Sequence, residues 1–269
     1  MASGITIPTL DLIIIVTYMI GILVAGVWVV RKQKMTSSSY FLAGRSLRWP
    51  LVGAALFASN ISTIHLVGLA SAGFEDGLVQ GNFEWMATFI LVLLGLVFAP
   101  FYFKNKISTL PEFLEKRYNG VSRGLLAFLA IVGALFMHIG ISLYAGAVVF
   151  ENFFGVNIWI SIGLISIITS IYTVLGGLKS VVITETIQTV ILILGASLMA
   201  IIAIKALPDV GIHSYAELKE AVKPDQLKLL RSYESSPKLP WYSIILGYPV
   251  IGLWYWCADQ TIVQRVLGA

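Results

Sequence analysis

Long apolar stretches recur along the chain and alternate with short polar segments. Seven stretches contain no charged residue except Glu185, and they cover 12–30, 49–74, 85–103, 124–150, 153–178, 180–204 and 239–257. An α-helix needs roughly 18 apolar residues to cross the hydrocarbon core of a bilayer, and every stretch reaches that length. The pattern therefore predicts an all-α, multi-pass membrane protein.

Composition agrees with this prediction, and the placement of Lys and Arg predicts the orientation. The chain is 58% hydrophobic and 12% charged, whereas soluble domains carry about 25% charged residues. Basic residues lie in alternate connections, and the short connections at 75–76 and 151–157 contain none. The positive-inside rule then puts the N-terminus outside, with Arg31 as the first cytoplasmic residue. The net charge of +4 reflects this topology and does not indicate nucleic-acid binding.

The longest polar segment, 205–240, lies outside in this topology. Ser214 and Glu217 have the spacing of a capping box, which predicts a short surface helix running toward Val222. The segment as a whole is either a solvated connector or a lid that faces the substrate.

The second apolar stretch has a polar centre, since residues 58–65 read ASNISTIH. Ser, Asn and Thr are poor mid-helix residues because their side chains compete for backbone hydrogen bonds. In a bilayer, a break in a helix survives only where protein or water covers it. The stretch is therefore either a continuous helix with a small-residue packing face, or a discontinuous helix whose carbonyls bind a cation.

The last stretch brings aromatic residues next to an acid, because residues 252–260 read GLWYWCADQ. Aromatic residues packed beside Asp259 indicate the wall of a pocket. The alternative is an aromatic belt at the membrane surface.

Ionisable residues at membrane depth are costly and are candidates for functional sites. Four residues qualify: His65, Glu84, Glu185 and Asp259. Alternatively, the three acids are interfacial side chains that reach water. His65 could likewise be a packing residue, and we interpret His138 in that way. No spacing matches a metal cluster, a phosphate loop or a nucleophile–base pair, so an enzyme is not expected.

Six blocks occur in order along the chain. They are YFLAGRSL at 40–47, FASNIS at 57–62 with His65, FEWM at 83–86, LPEFLEKRY at 110–118, GGL at 176–178 with Glu185 and Gln188, and WYWCADQ at 254–260 with Gln264 and Arg265. Together they resemble the sodium/solute symporter family, and the last block is most typical of its sodium/glucose cotransporter branch.

The resemblance implies an all-α LeuT-type inverted-repeat transporter fold in a single transmembrane domain. On that scheme, 10–31 is a leading helix, 49–204 is the first five-helix repeat, 205–240 is an extracellular loop and 241–269 is the first helix of the second repeat. The chain is then expected to be the N-terminal part of a longer transporter.

The resemblance also implies ligand positions. The backbone carbonyls of Ala58 and Ile61 would supply half of a sodium site. Glu185, where the family usually has Asp, would lie on the path by which sodium leaves.

The implied sugar contacts are Asn60, His65, Glu84, Tyr255 and Trp256, with Tyr255 stacking as the inner gate. Two positions depart from the pattern, because Ala87 and Gly252 replace polar residues that contact the sugar in some relatives.

The expected function is sodium-coupled symport of a sugar or sugar-like solute by alternating access, in the plasma or inner membrane. Sodium, the solute and the lipid bilayer are the implied partners. One alternative is a sodium symporter for a non-sugar organic solute, which the changes at Ala87 and Gly252 favour. The other is a nontransporting solute sensor that keeps the pocket.

Overall fold

The structure, a computed structural model, describes residues 8–31 and 36–269, and these ranges are helical almost throughout. The helices are α1 (Thr9–Val30), α2 (Ser37–Leu42), α3 (Trp49–Asn60), α4 (His65–Asp76), α5 (Leu78–Lys104), α6 (Leu110–Arg117), α7 (Gly120–Phe154), α8 (Ile158–Ala206), α9 (Tyr215–Ala221), α10 (Ser243–Ala258) and α11 (Gln260–Leu267).

Several helices are suited to a bilayer. Among the described residues, α1, α5, α7 and α8 are long and apolar enough to cross a membrane, and α3 with α4 makes a fifth span if the bent pair counts as one. Helix α10 is apolar but shorter. Large apolar side chains such as Phe89, Phe136 and Leu194 remain mostly exposed on these helices, which is the expected surface of a helix that faces lipid.

Helix α8 turns back on itself at Gly177, whose φ of 58° and ψ of −158° are not helical. A Cβ built on Gly26 of α1 would lie 3.0 Å from Tyr172 Cβ and 3.3 Å from Thr184 Cγ2. In a straight helix those two residues would be about 18 Å apart along the axis, so one point on α1 could not contact both. Helix α8 therefore consists of two helices, 158–176 and 178–206.

Close contact with α2 makes glycine necessary at this turn. A Cβ at position 177 would lie 2.5 Å from the carbonyl oxygen of Tyr40. The Tyr40 hydroxyl donates to the Val174 carbonyl at 3.2 Å, and this carbonyl would bond to Leu178 if the helix continued. The Tyr40 side chain therefore caps the first half of α8 while its backbone fills the space beside Gly177.

We expect Gly177→Ala to lower the free energy of unfolding by about 1–3 kcal/mol, because this backbone conformation is essentially restricted to glycine. Thermal unfolding in detergent micelles measures the effect. Gly195→Ala is the matched control, since Gly195 lies in the second half of α8 with open space where a Cβ would go. Equal unfolding temperatures for the two variants would contradict this account of the turn.

The connections gather at the two ends of the helices. At one end, Leu42, Ile107 and Leu267 pack in one buried cluster, and the Leu47 amide donates to the Gly268 carbonyl at 3.0 Å. The basic connections 43–48 and 105–109 and the basic helix α6 lie at this end. The positive-inside pattern requires this arrangement. Two basic residues of that pattern, Lys32 and Lys34, lie outside the residues that the structure describes.

The opposite end carries the 205–240 segment. Gln226 Nε2 donates to the Phe74 carbonyl at 2.6 Å, and Asn82 Nδ2 donates to the Leu229 carbonyl at 2.7 Å. The segment therefore lies across the connection between α4 and α5. The predicted helix start is confirmed, since Ser214 Oγ accepts from the Glu217 amide at 3.3 Å and begins α9. The reciprocal half of the capping box is shifted by one residue, because Glu217 Oε2 accepts from the His213 amide at 2.6 Å.

The core that positions the site lies between α5, α10 and α11. Ala87, Ile90 and Leu94 of α5 pack with Trp256 and with Ile262 of α11. On the other side, α3 packs between α11 and the second half of α8. These contacts hold the ends of α3 and α10 next to each other.

Candidate functional site

The second apolar stretch is broken, so the alternative of a continuous helix is wrong. Helix α3 ends at Asn60, Ile61 is extended with φ −80° and ψ 118°, and α4 continues at an angle of 67°. The polar side chains of this segment provide the replacement bonds. Ser62 donates its backbone N–H to His65 Nδ1 at 3.2 Å, and the His65 N–H donates to the Ser62 carbonyl at 2.9 Å.

These two bonds change the partners of the carbonyls at the break. In a continuous α-helix the Ser62 N–H would bond to the Ala58 carbonyl, and the His65 N–H would bond to the Ile61 carbonyl. Both donors are turned to other acceptors here. The carbonyls of Ala58 and Ile61 have therefore lost their helical donors, which is the condition for binding a cation.

A second break separates α10 from α11. Asp259 is extended there, with φ −77° and ψ 130°, and its Oδ1 accepts from the Thr261 amide at 2.8 Å. Asp259 is therefore the N-cap of α11. The aromatic residues before it divide between two environments, because Trp254 is 55% exposed whereas Trp256 is 4% exposed. Only Trp254 fits the aromatic-belt alternative.

Polar side chains from both breaks meet at Glu84. Its Oε1 lies 3.2 Å from His65 Nε2, and its Oε2 accepts from Asn60 Nδ2 at 3.3 Å. The Tyr255 hydroxyl donates to Asn60 Oδ1 at 3.1 Å. Four of the five predicted solute contacts thus form one hydrogen-bonded network. It joins α3, α4, α5 and α10.

The network fixes the tautomer of His65. A backbone N–H can only donate, so His65 Nδ1 must accept from Ser62 and is unprotonated. The ring hydrogen of the neutral imidazole is then on Nε2, from which it points at Glu84. His65 is therefore part of this polar network, and its role as a solute contact stays a prediction. His138, which was assigned to packing, is an exposed residue on α7.

The fifth predicted contact, Trp256, forms the apolar side of the site. Its ring lies edge-on to Tyr255, with centroids 5.1 Å apart, and its Nε1 lies 3.5 Å from the Tyr248 hydroxyl. A cavity of about 170 Å³ opens between these groups. It is lined by Asn60, Phe83, Glu84, Tyr248, Ile251, Gly252, Tyr255 and Trp256.

The two departures from the family pattern have different surroundings. A Cβ on Gly252 would lie 2.9 Å from the ring of Tyr248, so Tyr248 occupies the space that a side chain at 252 would take. Ala87 lines a larger adjoining cavity of about 620 Å³, which also shares Asn60, Glu84 and Trp256. Gly252 has no side chain to offer, and the neighbouring Tyr248 supplies a hydroxyl group beside it.

Glu185 is paired inside the protein and does not reach out to water. Arg265 binds it with two hydrogen bonds, from Nη2 to Oε1 at 2.5 Å and from Nε to Oε2 at 3.1 Å. Both residues are 8% exposed. Ser59 Oγ, one residue before Asn60, also lies 2.8 Å from Glu185 Oε1. The pair therefore connects the second half of α8 to α3, which precedes the first break, and to α11, which follows the second break.

Comparison with known proteins gives a consistent result. The model of the sodium:solute symporter family matches residues 40–269. The chain is 36% identical to sodium/glucose cotransporter 1 of Ovis aries over 277 residues, which cover 96% of this chain and 42% of that protein. It is also 36% identical to the human sodium/myo-inositol cotransporter over 284 residues, which cover 97% and 39% of the two proteins. The chain thus spans about two fifths of the length of these curated relatives.

Among solved structures, the chain resembles a Na⁺-coupled sialic acid symporter in a substrate-bound outward-open state. The TM-score is 0.84 at 24% identity, and the match covers 97% of this chain and 55% of that one. This likeness shows the fold, which is the LeuT-type fold expected from the sequence.

Proposed function

Because the chain belongs to the sodium:solute symporter family, we propose that the protein is a secondary active symporter that couples sodium to import of a sugar or sugar-like polyol. The observation that carries the proposal is the network of Asn60, His65, Glu84 and Tyr255 at the meeting point of two broken helices. Transport would proceed by alternating access around this site.

The solute site suits a molecule rich in hydroxyl groups. Glu84 and the Asn60 carbonyl oxygen accept hydrogen bonds, whereas His65 Nε2 and the Tyr255 hydroxyl donate them. Trp256 offers an indole ring on which the apolar face of a sugar ring can stack. A cavity with a few polar groups beside aromatic walls is typical of small-molecule sites.

The sodium site would use the carbonyls of Ala58 and Ile61. Sodium is bound well by backbone carbonyls at the C-terminal end of a half-helix, where the helix dipole is negative. This assignment is supported by the backbone N–H groups of Ser62 and His65, which bond to other acceptors instead of to these two carbonyls. Glu185, on the path by which sodium leaves, would exchange Arg265 for the passing ion.

Coupling of this kind has sufficient energy. One charge that crosses 100 mV supplies about 2.3 kcal/mol. A tenfold sodium gradient adds about 1.4 kcal/mol. Together they allow accumulation of the solute by several hundred-fold for each sodium ion, provided that sodium favours the state that binds solute.

The protein would lie in the plasma or inner membrane with its N-terminus outside. Clustering of the basic connections at one end of the helices supports this orientation. The 205–240 segment would then be extracellular. It would lie beside the entrance to the solute site.

Two other functions remain testable on the same fold. A symporter for a non-sugar solute is favoured by Ala87 and by Gly252, where Tyr248 fills the position of a side chain. A solute sensor would bind in the same cavity without flux. No enzymatic function is proposed, since the relatives that the chain matches are transporters.

Uptake into proteoliposomes that contain the full-length protein tests the proposal. We expect glucose or myo-inositol to enter only with an inward sodium gradient, and to carry inward current. Uptake that is unchanged when choline replaces sodium would contradict the coupling. Sodium-driven uptake of an amino acid but of neither sugar nor inositol would favour the first alternative, and sodium-dependent binding without flux would favour the sensor.

A further inference from the structure

Tyr248 occupies the space that a side chain at position 252 would need. The two residues are four positions apart on α10, so they lie on the same face of the helix. A Cβ on Gly252 would lie 2.9 Å from Tyr248 Cε1 and 3.3 Å from Tyr248 Cδ1. The tyrosine ring therefore lies directly over the glycine, and it can do so only because the glycine has no side chain.

Both the ring and the hydroxyl group of Tyr248 border the solute cavity. The ring contacts Gly252, and the hydroxyl oxygen lies 3.5 Å from Trp256 Nε1. These two neighbours and Tyr248 itself all line the cavity of about 170 Å³. The ring of Phe83, which also lines the cavity, packs beside Tyr248 with the centroids 6.2 Å apart. Tyr248 is therefore part of the cavity wall.

The Tyr248 hydroxyl keeps a hydrogen that it can donate. An indole N–H can only donate, so any bond between Trp256 and Tyr248 uses the hydroxyl oxygen as the acceptor. Among the described residues, the hydroxyl donates its own hydrogen to no acceptor. The other tyrosine of the cavity, Tyr255, already donates to Asn60 Oδ1 at 3.1 Å. Of these two hydroxyl groups, the one on Tyr248 is thus the one whose hydrogen is free for a ligand.

We propose that Tyr248 is a solute contact that determines specificity, and that its hydroxyl donates a hydrogen bond to a hydroxyl oxygen of the bound sugar or polyol. This inference rests on the proposed function. The polar contact that Gly252 cannot make is then moved one helical turn along α10 and is not lost. Because the donor now sits at the end of an aromatic ring, a different hydroxyl group of the solute is recognised from the one that a short side chain at 252 would reach.

Removing only the hydroxyl group tests the contact. Tyr248→Phe keeps the ring over Gly252, and calorimetric titration of glucose or myo-inositol into the full-length protein in sodium gives the Kd. We expect the Kd to rise by about two- to tenfold, the worth of one neutral hydrogen bond. Tyr242→Phe is the matched control, because Tyr242 is an exposed tyrosine just before α10 that does not line the cavity. Equal Kd values for the two variants would overturn the proposal.

Deoxy analogues of the solute distinguish a direct contact from a change in the shape of the cavity. Monodeoxy derivatives, each lacking one hydroxyl group, are titrated into the unchanged protein and into Tyr248→Phe. We expect one derivative to lose about two- to tenfold less affinity in Tyr248→Phe than in the unchanged protein, because that hydrogen bond is already absent. If every derivative lost the same factor in both proteins, Tyr248 would not contact the solute.

The same titrations separate failure of this inference from failure of the proposed function. An unchanged protein that bound neither glucose nor myo-inositol in sodium would contradict both. Solute binding by the unchanged protein, with the same Kd in Tyr248→Phe, would contradict only the role of Tyr248.

Discussion

Replacing Arg265 with Met is expected to lower the free energy of unfolding by about 3–5 kcal/mol, because the substitution leaves a buried carboxylate without its counter-charge. Glu185 is 8% exposed and, among the described residues, would keep only Ser59 Oγ as a side-chain hydrogen-bond partner. The arginine also donates to the Thr261 carbonyl at 2.5 Å, and this bond is lost as well. Thermal and urea-induced unfolding in detergent micelles measure the change.

A matched pair and a double variant separate charge from packing. Arg123→Met breaks the ion pair with Glu115, whose side chains are 52% and 43% exposed, and should cost no more than about 1 kcal/mol. Adding Glu185→Gln to Arg265→Met removes the orphaned charge and should recover much of the loss. A cost for Arg265→Met equal to that for Arg123→Met would contradict the burial of the pair, and so would strictly additive effects in the double variant.

Glu84→Gln is expected to weaken solute binding by about 10- to 150-fold, since a hydrogen bond to a charged group contributes about 1.5–3 kcal/mol. The carboxylate accepts from Asn60 and faces the Nε2 hydrogen of His65. An amide of the same shape puts an NH₂ donor against one of these two donors. The substitution therefore disrupts the network as well as any direct contact with the solute.

Calorimetric titration of glucose or myo-inositol into the purified protein measures this effect. Glu75→Gln is the control, because Glu75 is an exposed acid near the end of α4. The solute affinity of the Glu75→Gln variant should equal that of the unchanged protein. If Glu84→Gln bound solute as tightly as Glu75→Gln, Glu84 would not belong to the solute site.

The helix break could be located from the sequence because its cause is local. Ser62 and His65 form the replacement bonds within four residues of each other, so the composition of 58–65 already contains the explanation. Sequence alone left a continuous helix open, since the choice depends on whether surrounding helices cover the break. The contacts of Ser59 with α8 and of Asn60 with α5 provide that cover.

The solute network was predicted through the family resemblance and not from the residue pattern. Asn60, Glu84 and Tyr255 come from three helices, and no periodicity within one helix brings such residues together. Tyr248 was not predicted, although it borders both Gly252 and Trp256. An aromatic residue one helical turn before a glycine in a pocket-lining helix is the signal that could have indicated it.

Arg265 received no role from the sequence even though it lies in a recognised block. Its partner Glu185 is 80 residues away, and the alternative that Glu185 reaches water made a partner unnecessary. The rule that intramembrane charges pair would have required a cation near Glu185. Asp259 shows the converse, because its local role as the cap of α11 follows from its position before a helix.

The most direct test of sodium-coupled solute binding is a linkage measurement on the purified full-length protein. Calorimetry gives the solute Kd in sodium and in choline, and the sodium Kd with and without solute. We expect sodium to lower the solute Kd, and solute to lower the sodium Kd by the same factor, because coupling between two sites is reciprocal. A solute Kd that is the same in sodium and in choline would contradict the account.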